Sequence, residues 1–177
     1  MTDPLVGAEL PDLRAPEVTR ATLALFAGAS GDHNPLHIDT DAARAAGFDD
    51  VPAHGMLSMA YLGRLVTSWV PLGAIRSLKA RFSAMTPVHA RPHCTGRVTA
   101  VEEGADGERL ARIALTVRLA DGTATVRGEA VVTADALTPT PAAPATRTSA
   151  PTASAPTASA PTTTAPTTST RTASVHP

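Results

Sequence analysis

The chain has 177 residues, with 16 acidic and 15 basic side chains and a formal net charge of −1. All the acids lie at or before Asp135, so the first 136 residues carry a slight acidic excess that excludes a nucleic-acid binder resting on bulk positive charge. The length fits one domain, and a hydrophobic share of 43% lets a body of roughly 135 residues bury about two-thirds of its unfolded surface.

The opening, Met1 to Leu10, carries Asp3 and Glu9 and no basic, apolar leader, so a cytoplasmic location is expected. A single Cys94 forms no internal bridge. No apolar run approaches the ~20 residues that span a bilayer. Thr19 is placed to cap a helix that starts near Arg20 and carries Leu23, Phe26 and Ala27, with Gly28 as its stop. A turn-rich loop follows, Ser30-Gly31-Asp32-His33-Asn34-Pro35. Asp39 or Thr40 can cap a short helix over Asp41–Ala46, closed by Gly47.

His54-Gly55 opens the next segment, Met56 to Trp69. Met59, Leu62 and Val66 recur there at helical spacing, while small Ala60 and Gly63 suit close approach, so the pattern predicts a helix surrounded by other structure. Pro71 and Gly73 end it. Beyond Ala74 the apolar residues alternate with period two, the pattern of half-buried strands. Leu78, Ala80 and Phe82 form one row, Ile113, Leu115, Val117 and Leu119 a second, and Val126, Ala130 and Val132 a third after the tight turn at Asp121-Gly122. Val98 and Val101 fit a fourth strand before the loop Glu103 to Gly107. The predicted fold class is α+β: a curved antiparallel sheet of at least four strands wrapped around one apolar helix.

From Leu137 the composition changes to Pro, Thr, Ala and Ser, with Ala-Pro-Thr-Ala-Ser at 150–154 and again at 155–159. Such a stretch buries too little to offset its ordering entropy, which predicts a folded domain over 1–136 and a disordered tail over 137–177.

The densest polar cluster is Ser30-Gly31-Asp32-His33-Asn34-Pro35-Leu36-His37. His33 and His37 stand four apart, as in zinc helices, but Pro35 denies a helix here by removing an N–H and pushing Asn34 toward extended geometry. No metal is expected. Ser30 fails as a hydrolase nucleophile, because Gly28-Ala29-Ser30-Gly31-Asp32 lacks the last glycine of the elbow motif. Two readings remain open from these residues. Asp32 and Asn34 can be turn formers only, with His37 an ordinary surface histidine. Alternatively, Pro35 and the turns fix Asp32 and His37 on one rigid loop, where they act together on one water. An ordinary aspartate, with a pKa near ~4, delivers no proton at neutral pH unless burial or a neighbour raises it; a buried helix and an apolar wall would supply that burial. The segment Val51-Pro52-Ala53-His54-Gly55-Met56 offers the complement, an unsatisfied amide at a helix start where Gly55 has no side chain to block an approaching oxygen.

Taken together, Ala27-x-x-Ser30-Gly31-Asp32-x-Asn34-Pro35-Leu36-His37 followed by His54-Gly55-Met56 resembles the MaoC-like, or R-specific hydratase, family of hot-dog proteins. The likeness runs from about Val18 to Val132. The run Val66 to Val70 and the Arg81-Phe82 strand look most like the catalytic B subunit of bacterial two-subunit (3R)-hydroxyacyl-ACP dehydratases. The resemblance implies reversible syn addition or loss of water across an enoyl thioester carried on CoA or ACP, with no metal or organic cofactor. It implies Asp32 and His37 as the catalytic pair, the Gly55 amide as the site for the thioester oxygen, Asn34 as a loop-positioning residue, and His54 and Met56 beside the substrate. Family members often carry a serine where this chain has Gly63. A dimer is implied as well, with a second copy or with a second hot-dog subunit. A hot-dog partner subunit without self-sufficient activity and an acyl thioesterase are the alternative functions.

Overall fold

The computed structural model describes residues 3–137. The predicted disordered tail lies outside the described residues except for Leu137, which is buried in the core cluster.

Five strands form one antiparallel sheet: β1 (Glu9–Arg14), β2 (Ile75–Phe82), β3 (His93–Glu103), β4 (Arg109–Arg118) and β5 (Ala124–Thr133), in the spatial order β1-β3-β4-β5-β2. Three helices precede β2: α1 (Arg20–Ser30), α2 (Thr40–Ala45) and α3 (Gly55–Trp69). This is the expected α+β hot-dog arrangement, because α3 packs against every strand of the sheet. Leu57, Tyr61, Leu62, Leu65, Val66 and Trp69 are buried on its inner face. They meet Val98, Ile113, Leu115, Val117, Val126, Ala130 and Val132, all in the same cluster. Each such aliphatic side chain contributes about 1.5–3 kcal/mol when fully buried.

Local chemistry sets the helix ends. Thr19 accepts from the Thr22 amide at 3.1 Å and starts α1 as expected. The stop is Gly31 and not Gly28: Gly31 turns left-handed at φ 75° and its N–H returns to the Ala27 carbonyl, a conformation that glycine adopts without steric cost. Asp39 caps α2 through the amides of Asp41 and Ala42 at 2.8 and 3.3 Å.

Three features depart from the sequence reading. β1 was not anticipated, since Pro11 and a register shift between Leu10 and Leu13 hide its alternation. In β3, Val98 and Val101 are three apart and would face opposite ways in a regular strand. A bulge between Val98 and Ala100 pairs Val98 with Ile113 and Val101 with Ala111, so both turn inward. Finally, α3 is amphipathic and not surrounded: Met56 is 53% exposed, Ala60 is exposed, and a Cβ on Gly63 would meet nothing within 4 Å. The close-approach glycines lie on the sheet: a Cβ on Gly96 of β3 would overlap the Trp69 ring, and one on Gly128 of β5 would stand 2.6 Å from the Lys79 carbonyl oxygen. The Trp69 indole N–H also donates to the Pro11 carbonyl at 2.9 Å, tying the end of α3 to β1.

Candidate active site

The loop after α1 is shaped by its own side chains. Ser30 Oγ donates to the Phe26 carbonyl at 2.7 Å and accepts from the Asp32 amide at 3.3 Å, so the hydroxyl serves the turn. Asp32 Oδ1 accepts from the Asn34 amide at 3.3 Å, and Asn34 Oδ1 accepts from the Leu36 amide at 3.0 Å. The latter bond starts a single 3₁₀ turn, Pro35–His37, in which proline's fixed φ suits the first position. That turn carries His37 back toward the start of α3.

Two tertiary hydrogen bonds complete the arrangement. His37 Nδ1 donates to the Pro52 carbonyl at 2.8 Å. A carbonyl only accepts, so Nδ1 carries the hydrogen and Nε2 is left as an acceptor. His54 Nε2 donates to the main-chain oxygen of Asp32 at 3.1 Å. The His37 and His54 rings stack with centroids 4.1 Å apart, and Phe26 leans on His54 at 5.1 Å. One donor atom from each of Asp32, His37 and His54 falls within 4.8 Å of the others. The same three side chains are the ones that could hold a cation, but one nitrogen of each imidazole already binds a carbonyl. What remains without a hydrogen-bond partner is His37 Nε2 and the buried His54 Nδ1, beside the Asp32 carboxylate.

A cleft of about 440 Å³ lies beside this cluster, lined by Phe26, Ser30, Asp32, Met56, Met59 and Ala60. Neither His37 nor Gly55 is part of its lining; they adjoin it through Asp32 and Met56. Gly55 begins α3 without a side-chain cap, and its amide meets no acceptor among the described residues. A Cβ on Gly55 would stand 3.3 Å from the Phe82 ring, so Phe82 covers one side of this helix start.

The geometry revises several sequence expectations. Asp32 and His37 are brought together with His54, Gly55 follows His54 at the start of α3, and Met56 lies on the cleft wall. His54 is 1% exposed and buried between His37, Phe26 and the Asp32 backbone. Asn34 spends its carbonyl oxygen on its own turn. Asp32 is exposed, because the end of α1 projects its loop outward, and the burial expected from the helix and an apolar wall is not supplied by the described residues. His33, half of the zinc-like spacing, is exposed and stands outside the cluster. The Pro52 carbonyl, Phe26 and Phe82 had no recognisable signal in the sequence, since their roles depend on what packs beside them.

Burial pushes the His54 pKa below its ordinary 6.5, and the adjacent His37 pushes the same way. Cys94 is fully buried and burial raises its thiol pKa to about 11, so it offers no nucleophile at neutral pH.

A family model described as MaoC like domain matches residues 6–120. Among proteins of assigned activity, 3-hydroxyacyl-thioester dehydratase Z of Mycobacterium tuberculosis is 32% identical over 108 residues, covering 58% of this chain and 72% of that protein. Among solved structures, the (R)-hydratase from A. caviae involved in PHA biosynthesis is 27% identical with a TM-score of 0.62, covering 72% of this chain and 94% of that one. A chain of the ChsH1-ChsH2 complex from Mycobacterium tuberculosis is 25% identical with a TM-score of 0.64, covering 74% and 98%.

Proposed function

The chain belongs to the family of MaoC-like domains, and on that premise we propose that it is a hydro-lyase that adds water to, or removes it from, the C2–C3 bond of a (3R)-3-hydroxyacyl or enoyl thioester on CoA or ACP. The observation that carries this reading is the convergence of one carboxylate oxygen of Asp32 with one ring nitrogen each of His37 and His54, all within 4.8 Å of one another, next to a helix start whose first amide is unspent. Both groups are hydrogen-bond acceptors in the resting state. A single water can donate one hydrogen to Asp32 and the other to His37 Nε2, which leaves its lone pairs aimed away from the pair and toward C3.

In the hydration direction the water oxygen bonds to C3 while one of its protons passes to the Asp32–His37 pair. Electrons of the C2–C3 double bond move onto the thioester oxygen, which the Gly55 amide and the positive end of α3 receive. The same proton then returns to C2 on the face from which the water came, and the thioester carbonyl re-forms. Atoms and charge balance, and the syn outcome follows from one pair handling one proton. No step requires a metal or organic cofactor.

Asp32→Asn and His37→Ala are each expected to lower hydration of crotonyl-CoA by at least about 100-fold, the usual contribution of a positioned acid or base, with melting unchanged. Full activity in either variant refutes its role. Free thiol release from an acyl-CoA would instead favour a thioesterase. A second reading, in which the chain works as one half of a pair with another hot-dog subunit, is favoured by its likeness to a chain of a two-component complex and by the exposure of Asp32. Mass measurement in solution, alone and with a co-expressed hot-dog chain, separates a homodimer from a heterodimer. Among the described residues no helix is long and apolar enough to cross a membrane.

A further inference from the structure

The ring of His54 has a role that the catalytic pair does not account for. At 1% exposure it cannot touch a substrate. Its Nε2–H reaches the main-chain oxygen of Asp32, 22 positions away, at 3.1 Å. The hydrogen bonds that Ser30 Oγ, Asp32 Oδ1 and Asn34 Oδ1 accept from the loop's own amides each span only two residues. They shape the turn but do not say where it sits. Among the described residues, the bond from His54 ties the Asp32 backbone to the start of α3, and the next residue along the chain is Gly55.

One face of the same ring lies on His37, with centroids 4.1 Å apart and planes 31° off parallel, while Phe26 closes in at 5.1 Å and 58°. Nδ1 is buried and has no hydrogen-bond partner. Protonating it would bury an N–H with no acceptor next to an imidazole that must itself accept a proton, an arrangement penalised twice. The titratable groups that face His54 are Asp32 and His37.

We propose that His54 is the positioning residue of this site: one neutral imidazole clamps the Asp32 backbone through Nε2–H and the His37 ring through its face, so that both stay in register with the Gly55 amide. The inference rests on the assignment of Asp32 and His37 as the catalytic pair. Neutrality matters because a charged neighbour at stacking distance would oppose proton uptake by His37 during turnover.

Two variants separate the two contacts. His54→Phe keeps a ring against His37 and cannot donate; His54→Gln keeps an N–H donor and loses the stack. Each is expected to lower kcat for crotonyl-CoA by about 100-fold, the effect of a ~1 Å misplacement, while KM stays within about threefold because neither contact reaches the thioester. Ring ¹⁵N NMR on the unaltered protein provides a readout independent of activity and of variant folding. It should show His54 as the neutral Nε2–H tautomer at neutral pH. Wild-type kcat in either folded variant overturns the proposal, as does an Nδ1–H tautomer or a His54 imidazolium at neutral pH. If the unaltered protein hydrates no enoyl thioester, the functional reading fails, and the NMR result still decides the state of His54.

Discussion

Replacing Gly55 by alanine separates what this residue does for the fold from what it does for the reaction. The backbone there is helical with no positive φ, so alanine fits, and it lowers the entropy of the unfolded chain by roughly 0.4–1 kcal/mol in favour of folding. Against this, the new Cβ would lie 3.3, 3.4 and 3.6 Å from three atoms of the Phe82 ring, a few tenths of an ångström tighter than ordinary contact. Phe82 is 47% exposed and has room to yield. The two effects nearly cancel, and the net stability change should stay within about 1 kcal/mol. For a domain of about 135 residues that is a melting shift of no more than about 4 °C. The catalytic consequence is larger. A helical Cα–Cβ bond tilts toward the N-terminus, so the methyl group leans into the space in front of the amide where the thioester oxygen must sit. Loss of one oxyanion donor costs about 100-fold or more in kcat. Steady-state hydration of crotonyl-CoA, followed by loss of enoyl absorbance, is to be measured beside calorimetry on the same preparation. A folded Gly55→Ala protein with kcat within twofold of the parent would refute the placement of the thioester oxygen at this helix start.

Gly96→Ala should act on stability alone. A Cβ there overlaps the Trp69 ring, with Cζ3 and Cζ2 at 3.0 and 3.1 Å, and shifting that ring endangers its bond to Pro11; overpacking and the lost bond together predict about 2–4 kcal/mol of destabilisation and a fall in Tm of about 7–14 °C. Gly63→Ser should do the opposite, since its Cβ meets nothing within 4 Å and serine is the better helix former by roughly 0.5 kcal/mol; a fall in Tm would reveal a contact that this geometry lacks. Stability should decline with acid in two windows, measured as the urea midpoint against pH. His54 has a folded pKa below its ordinary 6.5, so the unfolded state binds the extra proton, and stability present above pH 6.5 is lost as the pH falls below it. Glu108, held down by Arg76 and then Thr133, and Glu17, held down by His89 and then Arg91, stay below their ordinary 4.5, so their contribution persists above pH 4.5 and disappears as pH falls through their folded values. Removing the imidazole in His54→Phe should flatten the first window and leave the second.

Much of the fold was legible because caps and alternation act over a few residues. Thr19 and Asp39 are caps wherever their neighbours turn helical, and the rows Ile113-Leu115-Val117 and Val126-Ala130-Val132 could bury themselves only as strands. β1 escaped notice because Pro11 and a register shift break the period that identifies a strand. The bulge in β3 left no mark on the sequence beyond an odd spacing of two valines. At the site, the string from Ser30 to His37 and the triplet His54-Gly55-Met56 identified the region without assigning each residue its task. The burial of His54 and the exposure of Asp32 depend on what packs around them, which local sequence does not record.

The chain alone therefore determined the α+β class, the order of the main elements from α1 onward, the turn-rich loop that carries Asp32 and His37, and the family to which they belong. These depend on hydrogen bonds spanning two to four residues and on the periodicity of apolar side chains, both properties of local sequence. Only packing decided that His37 Nδ1 meets the Pro52 carbonyl, 15 residues on, and that His54 Nε2 meets the Asp32 carbonyl, 22 residues back. Partners so far apart come within 3 Å or so only once α3 is seated in the sheet. Which nitrogen of each imidazole is engaged by a carbonyl is thus set by the tertiary structure.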